Sequence, residues 1–508
     1  MKAMSESKLI IAPRPVRGSL TAAKAGLFAA FMLAGAALAA QASPPADAAG
    51  TASEDDMFGA AETVTQANNV SKEAEGQSEF LKYDQVKVGG SFTGKVGFTS
   101  AWASAWDGSA QLFDSSSHYL TPDVEGQLTI VAKPLTDFGV NMDFRTSWPF
   151  ATTSNYLTSA TTSGSSTIPN IAVWSLYSKF NWQDNVYFSF GKQPISWGVS
   201  KGYFQPADDI FAVSTAIDPT NTGKEREGPV SLKTTIPMGV TNNFYIYAGL
   251  PTNTDGSTSV DPADARLAVK GEYGFGNTEL ALAGFYSYND HPRALLMATT
   301  GLGSWNLLGE AILKYGSERY FLTKDALGVV SGLLPEAGNF YFTGTAGGYY
   351  FNSDSRVTIL MQYLYNGEGQ TAVSAKDAYT YYLAHPDQID RIKVGTHYAF
   401  VTISDTDLFA QAFGADKLGA SLIAIANLAD LSGYIMPSLT WKFFDYISLQ
   451  LGATFSFGEA GDEYITYGVG QPILDTSSSA SLLKSLSNLP TAPGAALNLT
   501  LTVGTGAF

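Results

Sequence analysis

The chain has 508 residues, with 46 Asp+Glu against 30 Lys+Arg, a formal net charge of −16 and no cysteine. Such an acid excess argues against nucleic-acid binding, which needs basic patches, and the absence of thiols excludes disulfide-stapled folds and cysteine-based metal sites. Charged residues make up only 15% of the chain, against about 25% in ordinary soluble domains, while aromatics reach 13% and glycines number 50.

Lys2, Lys8, Arg14, Arg17 and Lys24 precede an uncharged apolar run from Ala25 to Ala40 and the small-residue pattern Ala40-Gln41-Ala42. A basic region, a short apolar core and an A-x-A site in that order form a secretory signal. Residues 1–42 are therefore predicted to be cleaved off near Ala42, with Ala39 as the competing site. The run is shorter than the roughly 20 residues a membrane-spanning helix needs. Residues 43–85 are first rich in Ala and Pro, then charged from Glu54 to Glu79. They read as a periplasmic leader, either disordered or forming a plug. No apolar run of helix-spanning length follows, so a helical membrane protein is excluded and a β-rich chain remains.

From Val86 onward the pattern alternates with a period of two, which puts successive side chains on opposite faces of a strand. Ile447, Leu449, Leu451, Ala453, Phe455 and Phe457 interleave with Ser448, Gln450, Gly452, Thr454 and Ser456. Leu497, Leu499, Leu501 and Val503 stand against Asn498, Thr500, Thr502 and Gly504, and Phe244, Ile246, Ala248 and Leu250 form another such row. An apolar outer row over a small, uncharged inner row suits a transmembrane barrel, where closure pairs every backbone N–H and C=O in hydrocarbon.

Short turns are predicted near 134–136, 183–184, 239–241, 276–277, 302–304, 353–355 and Asp445, interleaved with long polar segments near 102–118, 151–169, 197–229, 251–264, 316–339, 368–391 and 458–494. This alternation is expected when short turns face the periplasm and long loops the cell surface. It predicts an all-β fold, a transmembrane antiparallel up-and-down β-barrel of about 16–18 strands over residues 86–508, with both ends on the periplasmic side. The pattern weakens at 404–418, which is long for a turn, at 289–293 and 429–433, which are short for surface loops, and at Leu418–Ala429, which reads equally as helix. Trp102, Trp106, Trp148, Trp174, Trp182, Trp197, Tyr286, Tyr288, Tyr363 and Tyr365 fall at strand ends and fit interfacial girdles.

The most distinctive segment is Gly191-Lys192-Gln193-Pro194-Ile195-Ser196-Trp197-Gly198, followed by Pro206-Ala207-Asp208-Asp209, Ile217-Asp218-Pro219 and Lys224-Glu225-Arg226-Glu227-Gly228-Pro229. Lys192 shares parity with Phe188 and Phe190, so it either snorkels at the membrane rim or lies past a bulge. This third surface connection brings both signs of charge together in Lys192, Asp208, Asp209, Asp218, Lys224, Glu225, Arg226 and Glu227. Folded into the lumen it would form a constriction that selects solutes by size and charge; otherwise the prolines pin turns and the charges are a solvated surface. Over residues 185–250 the chain resembles uncharacterised porin-like outer-membrane barrels of Gram-negative bacteria, including spirochaetal ones. These carry a strand ending in G-[KR]-Q-x-x-x-W-G, then P-[AV]-D and I-[DN]-P steps. The chain's terminal Phe508 resembles the aromatic that such barrels present to the assembly machinery. It is out of phase with the apolar row, and a bulge near Gly504–Gly506 would restore it.

Enzymatic signals are weak. His118, His291, His385 and His397 form no HExxH or paired arrangement, and His118 with Asp114 and Asp123 is the nearest grouping. Gly271–Gly276 reads as a strand turn, and Asn352–Val357 lacks the oxygen ligand and glycine of a calcium loop. No cofactor or metal is implied. Three functions stay open: a porin-like channel for passive passage of small solutes, a plugged transporter of hydrophobic compounds, and an adhesin or antigen displayed on a barrel. Outer-membrane lipid and small solutes are the expected partners, and no feature sets the oligomeric state.

Overall fold

The computed structural model describes residues 86–102, 118–135, 137–147, 171–213, 217–223, 225–239, 241–250, 261–317, 319–333, 338–352, 356–370, 373–383, 395–406, 417–467 and 494–505. The predicted signal and leader, Lys224 and Phe508 lie outside them. The wall opens with β1 (Val86–Trp102), β2 (His118–Leu135), β3 (Phe138–Ser147), β4 (Ile171–Trp182), β5 (Val186–Lys192) and β6 (Val230–Pro237). It continues through β7 (Asn243–Leu250), β8 (Arg266–Phe275), β9 (Thr278–Ser287), β10 (Arg293–Leu302) and β11 (Trp305–Tyr315). A separate hairpin, β12 (Phe321–Lys324) and β13 (Val330–Leu333), stands outside the wall. The wall resumes with β14 (Phe340–Asn352), β15 (Val357–Asn366), β16 (His397–Asp405), β17 (Leu418–Asn427), β18 (Ser432–Phe444), β19 (Ile447–Phe457) and β20 (Ala495–Thr505).

These make an 18-stranded antiparallel sheet in which each strand pairs with its neighbours along the chain. β20 returns to β1, from Phe92 opposite Thr505 to Trp102 opposite Ala495, so the sheet closes into a barrel. The predicted up-and-down fold is thus the observed one, at the upper end of the expected strand number. Every predicted short turn falls between consecutive strands. Gln183 and Asp184 both have positive φ (51° and 54°), the geometry of a two-residue hairpin whose twist matches its strands. The irregular connections are also found: 406–417 is long, and 288–292 and 428–431 are short. Leu418–Asn427 is a strand, not a helix. Pairing of β20 shows no bulge through Thr505.

The outer row is apolar. Phe92, Val96, Leu120, Leu128, Leu267, Val269, Leu282, Leu296, Leu451, Leu497, Leu499 and Leu501 are all exposed. A water-soluble protein does not leave so continuous an apolar belt uncovered, whereas hydrocarbon demands it. Trp182, Tyr286, Tyr288 and Tyr363 are exposed as girdle residues should be. Trp102 and Tyr365 are half-buried, Trp106 and Trp148 lie outside the described residues, and two others are turned from the lipid. Trp197 is fully buried inside the barrel, and Trp174 lies under the Arg145 guanidinium, 4.2 Å from its ring centroid. Trp174 sits beside the register shift between β3 and β4, and Trp197 in the loop that follows β5.

The inner face has two unlike arcs. Along β18, β19, β20 and β1, Thr440, Gln450, Thr500 and Gly97 are row neighbours, with Ser438, Gly452, Asn498 and Thr99 in the next row. This is the small uncharged lining the alternation predicts, tied by Thr99 Oγ1 donating to Asn498 (2.8 Å). Along β7–β11 and β15–β17 the inner positions are large and apolar instead: Tyr247, Phe285, Leu295, Met297, Ile312, Leu360, Phe400 and Ile425, all buried. Burial on the lumen side requires something inside the barrel to cover them.

Candidate functional site

That cover is the long connection 193–229. Its two ends are held together on the wall: Gln193 Nε2 donates to Ser231 O and Ser231 Oγ, both at 3.0 Å, and Gln193 N donates to Pro229 O (3.3 Å). Gly191 (φ 136°) turns the chain off β5 in a conformation that side chains rarely adopt. At Gly228 a Cβ would lie 1.8 Å from Gln193 O, so only glycine permits the closure.

From this neck the loop enters the lumen and packs on both apolar faces. Trp197, Ala207, Ile210 and Phe211 join Tyr247, Phe285, Leu295, Met297 and Ile312 in one buried cluster. Trp197 meets Phe211 and Tyr247 edge-on, at centroid distances of 5.0 and 5.5 Å. Further along, Phe204 packs among Leu360, Leu364, Tyr398, Phe400, Ile423 and Ile425, with Tyr203 stacked on Phe400 at 5.6 Å. Burying aromatic side chains of this size stabilises the inward fold by roughly 2–3 kcal/mol each.

Polar wall residues set the register of that packing. Glu310, buried on β11, accepts from Val199 N (2.8 Å), Ser200 N (2.7 Å) and Ala207 N (3.1 Å). Gln362 on β15 accepts from Phe204 N (3.0 Å) and donates to Ser200 Oγ (3.0 Å) and Phe204 O (3.2 Å). Lys270 Nζ donates to Trp197 O (2.8 Å) and Arg266 to Ile210 O (3.0 Å). Within the loop, Asp208 Oδ1 accepts from Trp197 N and Gly198 N, both at 2.7 Å, while Trp197 Nε1 donates to Ala207 O (2.7 Å). Burial pushes the Asp208 carboxyl above its ordinary range, against the pull of those N–H groups and of Arg226.

The described site residues separate into four groups. Asp208, Asp209 and Arg226 come together, with Arg226 Nη1 donating to Asp209 at 2.6 Å and Arg226 Nη2 at 3.9 Å from Asp208. Glu225 instead reaches the wall at Arg145 (2.9 Å). Lys192 pairs with Glu227 (2.5 Å) and donates to Val173 O (2.7 Å), so it stays at the strand end, away from the Asp208 group. Asp218 accepts from Thr220 N and Thr220 Oγ1 (2.8 and 2.7 Å), a local turn. Lys224 is outside the described residues. Glu310, Gln362, Lys270 and Arg145 were not singled out from the sequence, although each is a polar side chain at an inward position, with Lys270 beside Glu272 and Arg145 beside Asp143 on the same face.

A second assembly covers the long-loop rim above β11–β19. Helix α1 (Ala375–Leu383) packs with Leu322 and Val330 of the β12–β13 hairpin, joined by a Lys324–Asp377 ion pair (2.6 Å). Helix α2 (Glu463–Tyr467) brings Tyr464 into the Phe204 cluster. Its Glu463 carboxylate is buried and accepts from Tyr398 OH (2.8 Å), Asn427 Nδ2 (2.7 Å) and Gly395 N (3.3 Å). Burial, with Asp430 adding, pushes this carboxyl up to about 7. His118 stacks on Phe98 (5.9 Å), and no group of three or more potential metal ligands occurs among the described residues.

No family model matches the chain and no curated protein matches it. Solved structures do. The outer membrane channel DcaP of Acinetobacter baumannii aligns over 84% of this chain and 99% of its own, at 10% identity and a TM-score of 0.37. The outer membrane protein opdK from Pseudomonas aeruginosa aligns over 83% and 99%, at 7% identity and 0.42. OccAB1 of Acinetobacter baumannii aligns over 82% and 96%, at 10% identity and 0.41. By its own architecture, a closed 18-strand antiparallel wall with an apolar exterior and a long third loop folded inward, the chain is a transmembrane antiparallel β-barrel.

Proposed function

We propose that the protein is an outer-membrane channel for passive passage of small solutes, with loop 193–229 as its constriction. The observation that carries this reading is the inner-wall asymmetry. The loop is held against β7–β11 and β15–β17 by side chains built for that purpose, and the uncovered arc of β18–β20 and β1 keeps small polar residues that leave room for water. A barrel serving only to display loops has no need of an ordered strap inside it. Asp208, Asp209 and Arg226 on the strap, with Glu225 and Arg145 at its wall contact, place both signs of charge beside the path. Such a field selects by charge as well as size.

The test is planar-bilayer conductance of protein purified from the outer membrane of an expressing bacterium, alongside a variant lacking residues 43–80. Stable conductance from the intact protein supports the channel. Conductance only after truncation identifies a plugged carrier of hydrophobic compounds instead, and silence from both folded proteins identifies a display barrel.

A further inference from the structure

Three surface segments far apart in the chain meet at one buried carboxylate, and through it they reach the strap. Glu463, the first residue of α2, accepts from Gly395 N at the end of the connection 367–396, from Tyr398 OH of β16 and from Asn427 Nδ2 of β17. The short turn 428–431 closes the ring, because Asp430 accepts from Glu463 N (2.8 Å) and from Ser432 N and Ser432 Oγ (3.0 and 2.8 Å). Ser432 Oγ in turn accepts from Tyr464 N (3.1 Å). Beyond the carboxylate, Tyr464 packs in the Phe204 cluster at the strap, edge-on to Tyr434 at 5.0 Å, and Ile465 is fully buried. α1 joins through Lys376 N, which donates to Gly461 O (3.3 Å).

Among the described residues, no lysine or arginine forms an ion pair with Glu463. The titratable groups that face it are Tyr398 from β16, Asp430 from the turn, Tyr434 from β18 and Tyr203 from the strap. β17 and β19 carry no ionisable residue, Asp377 of α1 is taken by Lys324, and Glu459 and Asp462 precede Glu463 on its own segment. An ionised Glu463 is therefore buried without a counter-charge and beside a second carboxylate, an arrangement that disfavours the charged form. The neutral acid fits the same site: Oε1 can donate to Tyr398 OH, 3.0 Å away, while Oε2 keeps Asn427 and Gly395 as donors. We propose that Glu463 is the keystone of a pH-operated lid, docked between the wall and the strap tip while its carboxyl is neutral and released, with Tyr464 and Ile465 withdrawing, when it ionises. The outer mouth of the lumen then widens. Unseated, the carboxyl has its ordinary value of 4.5, and seated it is held near 7, so docking is complete below about 4.5 and is lost as pH climbs through about 7. The effect on permeation rests on the channel reading, whereas the movement of α2 does not.

The chain has no cysteine, so single introduced thiols report the lid directly. In protein purified from the outer membrane, Ile465→Cys puts a thiol at a buried position of α2, and Leu327→Cys puts one at a position that is 89% exposed. Maleimide labelling of the first, divided by that of the second, corrects for the pH dependence of the thiol itself. The ratio is expected to rise about tenfold per pH unit from about pH 5 towards 7 and then to level off, with bilayer conductance rising over the same interval. Glu463→Gln should hold both readouts at their acid values at every pH, its folding confirmed by heat-modifiable mobility. Asp430→Asn removes the neighbouring negative charge and should move the transition to lower pH, a shift that a merely structural role would not produce. A ratio that is flat or falls as pH rises overturns the lid, as does a transition that survives Glu463→Gln or stays in place in Asp430→Asn. A ratio that follows pH in a protein that never conducts leaves the lid standing and sinks the channel reading, whereas steady conductance with a flat ratio does the reverse.

Discussion

The covered and uncovered arcs of the inner wall are built from the same strand geometry, yet they differ in what the inward positions carry. Along β18–β20 and β1 those positions hold Thr440, Gln450, Thr500, Asn498 and Thr99, small groups that bond to one another or to water. Along β7–β11 they hold Tyr247, Phe285, Met297 and Ile312, with Glu310 set among them. An apolar lumen wall is tolerable only under a cover, and a cover is specific only if some polar group fixes its register. Glu310 and Gln362 do that, because a buried acceptor satisfied by loop N–H groups cannot be displaced without leaving those groups unpaired.

Breaking the covered arc should therefore have far larger effects than altering the uncovered one. Trp197→Ala removes the largest side chain of the strap and is expected to weaken its seating by about 3–5 kcal/mol. Faster proteolysis within 193–229 and a larger single-channel conductance would report this, the barrel itself remaining heat-modifiable. Glu310→Ala leaves the N–H groups of Val199, Ser200 and Ala207 buried without their acceptor, at a cost of about 3 kcal/mol or more. It should raise conductance in the same way, and an unchanged conductance with intact folding would count against the strap as the constriction.

A pH dependence separates the rim assembly from the strap. The Glu463 carboxyl is raised in the folded rim from an ordinary 4.5 to about 7, so the protonated form is the one favoured there. Its contribution to the α2 contact is thus full below about 4.5 and is lost as pH climbs through about 7. Hydrogen exchange at Gly395–Tyr398 and at α2 should accelerate between pH 5 and 8, and Glu463→Gln should flatten that profile. Gln362→Ala ranks next, about 1–2 kcal/mol, read as local exchange at Phe204. Thr500→Ala on the uncovered arc should change stability by less than about 0.5 kcal/mol, its effect confined to a small change in conductance.

The failures of sequence reading follow the same division. The alternation is clean on β19 and β20, where one face meets lipid and the other water, so the strand assignment there was direct. On β17 both faces are apolar, because Tyr203 and Phe204 cover Ile423 and Ile425 from inside. With the period of two erased, Leu418–Ala429 read equally as helix. Trp197 suggested a girdle because it follows a strand end, and only its packing on Tyr247 and Phe211 shows that the chain has turned into the lumen. The charged loop was legible as a site, but its partners were not: Glu225 meets Arg145 across 80 residues, and Val199 meets Glu310 across 111.

The sequence by itself determined the barrel, because a period of two, short turns alternating with long loops and the absence of spanning helices are local properties written in residue order. Tertiary structure alone decided which inward positions are wet and which are covered. It also decided which of the loop's charges neutralise one another. These depend on where a long loop comes to rest, and that is settled by wall residues distant in the chain whose buried hydrogen bonds no local pattern encodes.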